Sequence, residues 1–115
     1  MISSADHDLP RLTVQTLGQD SAMRIVLRGE ADVANADRLR AALDAVVLDG
    51  ARTLCLELSD LTFLDVAALR ELTSFTQRVR QSGRQVEAHG ARPGLHRTAG
   101  VLGIDDLLGL APLSR

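Results

Sequence analysis

Tryptophan and tyrosine are absent from this chain and phenylalanine occurs only twice, so it lacks the flat stacking groups that favour single-stranded nucleic acid or a planar aromatic cofactor. Its one cysteine, Cys55, can close no internal disulfide, and no cysteine-based metal site is expected. Set in the run Leu54-Cys55-Leu56, it reads as a buried structural thiol. No charge sign dominates either: 13 Lys and Arg against 15 Asp and Glu are interspersed to a formal net charge of −2, with no basic stripe for nucleic acid or membrane. Long apolar runs are missing, and the segment Met1 to Asp8 has neither a basic nor an apolar leader region, so a cytoplasmic protein is expected.

What is present suits one core. At 115 residues and 45% hydrophobic, the chain is long enough for one domain and too short for two. Leu12, Val14 and Thr16 alternate with polar neighbours, Gly18 to Ser21 supplies a turn, and Met23, Ile25 and Leu27 resume the period of two, which predicts a β-hairpin ended by Gly29. From Ala36, Leu39, Leu43, Val46 and Val47 recur at helical spacing up to a stop at Gly50. Thr53 to Leu58 is a short central strand with Leu54, Leu56 and Leu58 on one face. A second helix is expected after Asp65, whose carboxylate can cap it, with Leu69, Leu72, Phe75 and Val79 inward and an end near Ser82-Gly83. Gln85 to Ala88 forms a further strand, and Pro93 opens a helix with Leu95, Ala99 and Leu102 on its apolar side. Ile104, Leu107, Leu108 and Leu110 are expected to close the core.

The expected fold is α/β, a mixed sheet of about four to five strands with helices mainly on one face, in the order ββαβαβα. Residues 1–11 are expected to be a flexible arm, 12–110 the domain and 111–115 a tail.

Catalytic patterns are lacking. His7, His89 and His96 accompany no nucleophile elbow, and the glycines at 90, 94, 100, 103 and 109 match neither a P-loop nor a dinucleotide fingerprint. Glu57, Asp60 and Asp65 run off the end of the central strand, where three acids can hold Mg²⁺. Solvent exposure of Glu57, a turn at Asp60 and a helix cap at Asp65 explain them as well. No enzyme activity, metal or cofactor is therefore expected.

Two strings are more specific. Leu56-Glu57-Leu58-Ser59-Asp60-Leu61-Thr62-Phe63-Leu64-Asp65-Val66-Ala67-Ala68-Leu69 resembles the signature of STAS domains of the bacterial anti-sigma factor antagonist type, in which a strand runs into Asp-Ser-Ser-Gly-Leu at a helix start. Leu27-Arg28-Gly29-Glu30-Ala31-Asp32 resembles the Gly-Glu-Leu-Asp corner of the same family. The resemblance covers about Leu12 to Leu110. It implies a module that binds a histidine-kinase-like anti-sigma factor and is released when that partner phosphorylates the second serine. Here Val66 and Ala67 replace the two serines and Ala68 the glycine, while Asp65 and Leu69 are kept. Ala67 has no hydroxyl, so this position accepts no phosphate.

Helix residues turn by about 100° each, which places Ala67 on the outer face with Arg70, Glu71, Ser74 and Arg78. Asp65, Val66, Ala67 and Ala68 are then candidate partner-binding residues at the helix start, with Arg70, Glu71 and Ser74 beside them. The resemblance adds Glu30, Asp32 and Asn35 as the rim of the same surface. The implied partner is an anti-sigma factor or related kinase-like ATPase-domain protein. A sensor or scaffold subunit that binds a small molecule, other STAS domains or a second copy of itself stays open.

Overall fold

The computed structural model describes residues 11–102. The expected closing residues Ile104, Leu107, Leu108 and Leu110, most of the expected arm and the whole tail lie outside the described residues. Strand β1 spans Leu12–Gln19 and β2 spans Ala22–Ala31. They pair antiparallel around a two-residue turn at Asp20-Ser21, where Asp20 takes φ 55°, a left-handed conformation that aspartate tolerates. Helix α1 is Ala36–Asp44, β3 is Thr53–Leu64, α2 is Val66–Gln81, β4 is Gln85–His89 and α3 is Pro93–Leu102. The order is ββαβαβα, as the hydrophobic periods predict.

The sheet order is β1-β2-β3-β4, with β3 parallel to both β2 and β4. Side chains alternate across it. Ile25, Leu27, Leu54, Leu56, Leu58, Val86 and Ala88 are buried on the face that meets Leu39 and Leu43 of α1 and Leu69, Leu72, Phe75 and Val79 of α2. Truncating one of these leucines to alanine costs about 2–5 kcal/mol, so this layer dominates stability. The other face carries Arg24, Arg28, Cys55, Glu57, Glu87 and His89, all at least partly exposed, with an Arg24–Glu57 ion pair at 3.2 Å.

Three boundaries differ from expectation. Helix α1 stops at Asp44 rather than running to Gly50, and Val47 is exposed. The β-branched pair Val46-Val47 is a poor helix continuation, and the chain must turn there to enter β3. Strand β2 passes through Gly29 to Ala31. Strand β3 runs six residues past Leu58, so Asp60 lies on a strand paired with Arg28 at 3.2 Å rather than in a turn.

Candidate functional site

The extension of β3 shapes one end of the molecule. Its pairing with β2 shifts register twice, between Val26 and Arg28 and between Gly29 and Glu30, each time with one extra residue on β3. A bulge reverses which side chains face the core. The first shift turns Leu61 inward, out of phase with Leu54, Leu56 and Leu58. The second restores Leu64 to the partly buried side and turns Phe63 outward, where it is 51% exposed. Thr62 is exposed, and its hydroxyl donates across the strands to the Gly29 carbonyl at 3.0 Å.

Gly29 is required where it stands. It has φ 101°, and a Cβ there would lie 1.9 Å from the Arg11 carbonyl oxygen. That carbonyl accepts from the Glu30 amide at 2.7 Å. The Arg11 side chain pairs with Glu30 and lies 3.7 Å from Asp32. The hydrogen bond to Glu30, then the Glu30 and Asp32 charges, raise the Arg11 pKa above its ordinary value.

Asp65 joins two segments. As the cap of α2 its Oδ1 accepts from the Ala68 amide at 3.0 Å, while its Oδ2 accepts from the Val33 amide at 2.9 Å. Its own amide donates to the Ala31 carbonyl at 3.1 Å. The 32–35 loop is thereby tied against the start of α2. Asp32 acts as a turn residue, its Oδ1 accepting from the Ala34 amide at 3.0 Å.

The surface around Asp65 is apolar. Val33 is 75%, Phe63 51% and Val66 49% exposed. They are three of the exposed large hydrophobic residues among the described ones: the Val33 amide is bonded to Asp65, Val66 follows Asp65, and Phe63 stands two residues before it, paired with Glu30. Hydrophobic spacing missed Val33 and Phe63, because neither the loop tie nor the bulges leave a periodic trace.

Other expected site residues fall differently. Arg70 and Ser74 are exposed on α2, Glu71 is half-buried, and Glu30 and Asp32 are partly exposed beside Asp65. Ala67 is half-buried rather than fully solvent-facing, since the 32–35 loop is held against its turn of the helix. Ala68 is fully buried and offers no side chain to a partner. It lies one turn before Leu72 on the inward stripe, so the helical period itself carries it into the core. Asn35, expected at the rim, is only 7% exposed. Its amide nitrogen donates to the Glu30 carbonyl at 2.8 Å and its oxygen accepts from the Asp32 amide at 2.9 Å, so it braces the loop from inside. Arg78 reaches from α2 to Asp44 at the end of α1, at 2.8 Å. Glu57, Asp60 and Asp65 do not converge on a cation: each has its own partner in Arg24, Arg28 or the amides of Val33 and Ala68.

Cys55 is half-buried on the sheet face opposite α1 and α2, not a core thiol. Burial, then Glu87 and Glu57, raise its pKa, against a smaller lowering by Arg24. Among the described residues no helix is long and apolar enough to cross a membrane.

Comparison with known proteins places this geometry. An anti-sigma factor antagonist from Mycobacterium paratuberculosis superposes with TM-score 0.73 at 26% identity, over 89% of this chain and 86% of that one. The phosphorylated Bacillus cell fate determinant SpoIIAA gives 0.65 at 16% identity, over 87% and 92%. A sulfate transporter family protein from Wolinella succinogenes gives 0.66 at 18% identity, over 81% and 75%. The last two likenesses concern the fold alone. No curated protein matches the sequence significantly. The family described as "Mlab, STAS domain" matches residues 14–110, and with that span the chain belongs to the STAS domain family.

Proposed function

We propose that this STAS domain is a protein-binding regulatory module of the anti-sigma factor antagonist type, which acts by binding rather than by catalysis. Its partner is an anti-sigma factor or a related kinase-like ATPase-domain protein. The observation that carries the reading is the exposed apolar group Val33, Phe63 and Val66 around the doubly bonded Asp65. Exposed apolar side chains gathered at one place and rimmed by charge are what a protein partner buries. The likeness to the mycobacterial antagonist supports the same reading. Asp65, Val66, Ala67, Ala68 and Leu69 carry no hydroxyl, so binding here is not released by phosphate at position 67. The full chain, wild type and Phe63→Ser, serves as bait in host lysate. Recovery of an anti-sigma or kinase-like protein by the wild type alone is the expected result; equal recovery by both baits contradicts the reading.

One observation favours a second reading, a sensor subunit. Leu58, Leu61, Leu64, Leu69, Leu95 and Thr98 help to line a cleft of about 370 Å³ beneath the start of α2, within the size range of small-molecule sites. Here the apolar ligand enters below the helix, so Leu95→Trp abolishes ligand binding and leaves partner recovery intact.

A further inference from the structure

The parallel register of β3 and β4 sets Cys55 opposite Glu87 and Glu57 opposite His89, on the sheet face that carries no helix among the described residues. The Cys55 sulfur, a Glu87 carboxylate oxygen and a ring nitrogen of His89 all lie within 4.8 Å of one another. His89 Nε2 and Glu87 Oε1 are 3.1 Å apart. We propose that Cys55, Glu87 and His89 form a binding site for one borderline-soft divalent cation of the zinc class.

The geometry is close to what such an ion needs. Zinc bonds of about 2.0–2.3 Å imply ligand atoms about 3.3–3.8 Å apart in a tetrahedron. The three donors reach that spacing by side-chain rotation, because all three side chains are at least partly exposed. Thiolate and imidazole select zinc-like ions over Mg²⁺ and Ca²⁺, which require oxygen. Charge balances as well: one thiolate and one carboxylate offset two positive charges. On binding, the Cys55 S–H bond breaks, the sulfur keeps the electron pair for the metal and the proton passes to solvent. Glu57, held at 3.2 Å by Arg24, flanks the site, and water completes the coordination.

A lone cysteine in sequence gave no hint of this. Thirty-one residues lie between Cys55 and Glu87, and only the sheet register joins them. The ion would pin β4 to β3 at Cys55, eight residues along β3 from Phe63. Failure of one proposal therefore leaves the other standing.

The test is titration of the reduced full chain with Co²⁺ as a spectroscopic stand-in, followed by displacement with Zn²⁺. The expected result is one ion per chain with a sulfur-to-cobalt charge-transfer band. The band is absent in Cys55→Ser. Affinity falls more than about tenfold in His89→Gln and in Glu87→Gln, exceeding the least effect of losing a mere supporting partner. His96→Gln, away from the cluster, keeps it. All four substitutions are on exposed or half-buried positions, and circular dichroism checks that the fold is retained. Absence of the band with cobalt in excess overturns the proposal, as does a band that neither His89→Gln nor Glu87→Gln weakens.

Discussion

The Val33 amide donates to Asp65 Oδ2 at 2.9 Å, across 32 residues of sequence, while the other oxygen of the same carboxylate caps α2 through Ala68. One side chain therefore holds both borders of the candidate surface. Asp65→Ala removes the cap and frees the loop together. A lost cap costs about 0.5–2 kcal/mol. The upper part of that range is expected here, read by urea denaturation. Hydrogen exchange at the Val33 amide should accelerate in Asp65→Ala; an unchanged Val33 amide would show that the tie does not order the loop.

Gly29 tests the β1–β2 corner beside the same surface. Alanine in left-handed conformation costs about 1–2 kcal/mol, and Gly50, with φ 79° and open space around it, should show about that when replaced. Gly29→Ala adds a collision with the Arg11 carbonyl. Its loss of stability should exceed that of Gly50→Ala by at least about 1 kcal/mol, as for other overpacked sites. Equal losses in urea titrations would mean that the β1 start moves aside freely.

Much of this architecture was legible in the chain. Leu54, Leu56 and Leu58 announced a strand, Leu69 to Val79 a helix, and the carboxylate of Asp65 between them a cap, because each signal is local. Phe63 and Leu61 were not legible, since the bulges that set their faces depend on the register with β2 and carry no glycine or proline mark on β3. Asn35 was misplaced for a related reason. Its partners are backbone groups of Glu30 and Asp32, so a polar residue that reads as surface is consumed inside the loop.

Cys55 should be slow to react. The thiolate is the nucleophile, and burial with Glu87 and Glu57 raises the pKa, so the folded chain holds the thiol proton more tightly. In metal-free protein, the pH of half-maximal labelling by a disulfide reagent should lie above the value of about 8.5 for an ordinary thiol. Glu87→Gln should lower it. By the same linkage, the unfolded chain releases this proton first as pH rises, so the Cys55 contribution to stability falls above the unfolded thiol's pKa. A labelling midpoint at or below that of the urea-unfolded chain would contradict this assignment.

The most direct measurement is the affinity of the captured partner for Ala67→Glu, beside wild type and Gln81→Glu at the far end of α2. A carboxylate in the first helical turn is favoured by the helix dipole, so Ala67→Glu should keep the melting temperature, with a stability change of about 0.5 kcal/mol or less. Buried unpaired in an interface, the same charge typically costs about 2–5 kcal/mol, and each 1.4 kcal/mol is about tenfold in affinity. The predicted result is at least about a tenfold loss for Ala67→Glu and none for Gln81→Glu. Full affinity in Ala67→Glu, with the fold intact, would contradict the placement of the partner on the start of α2.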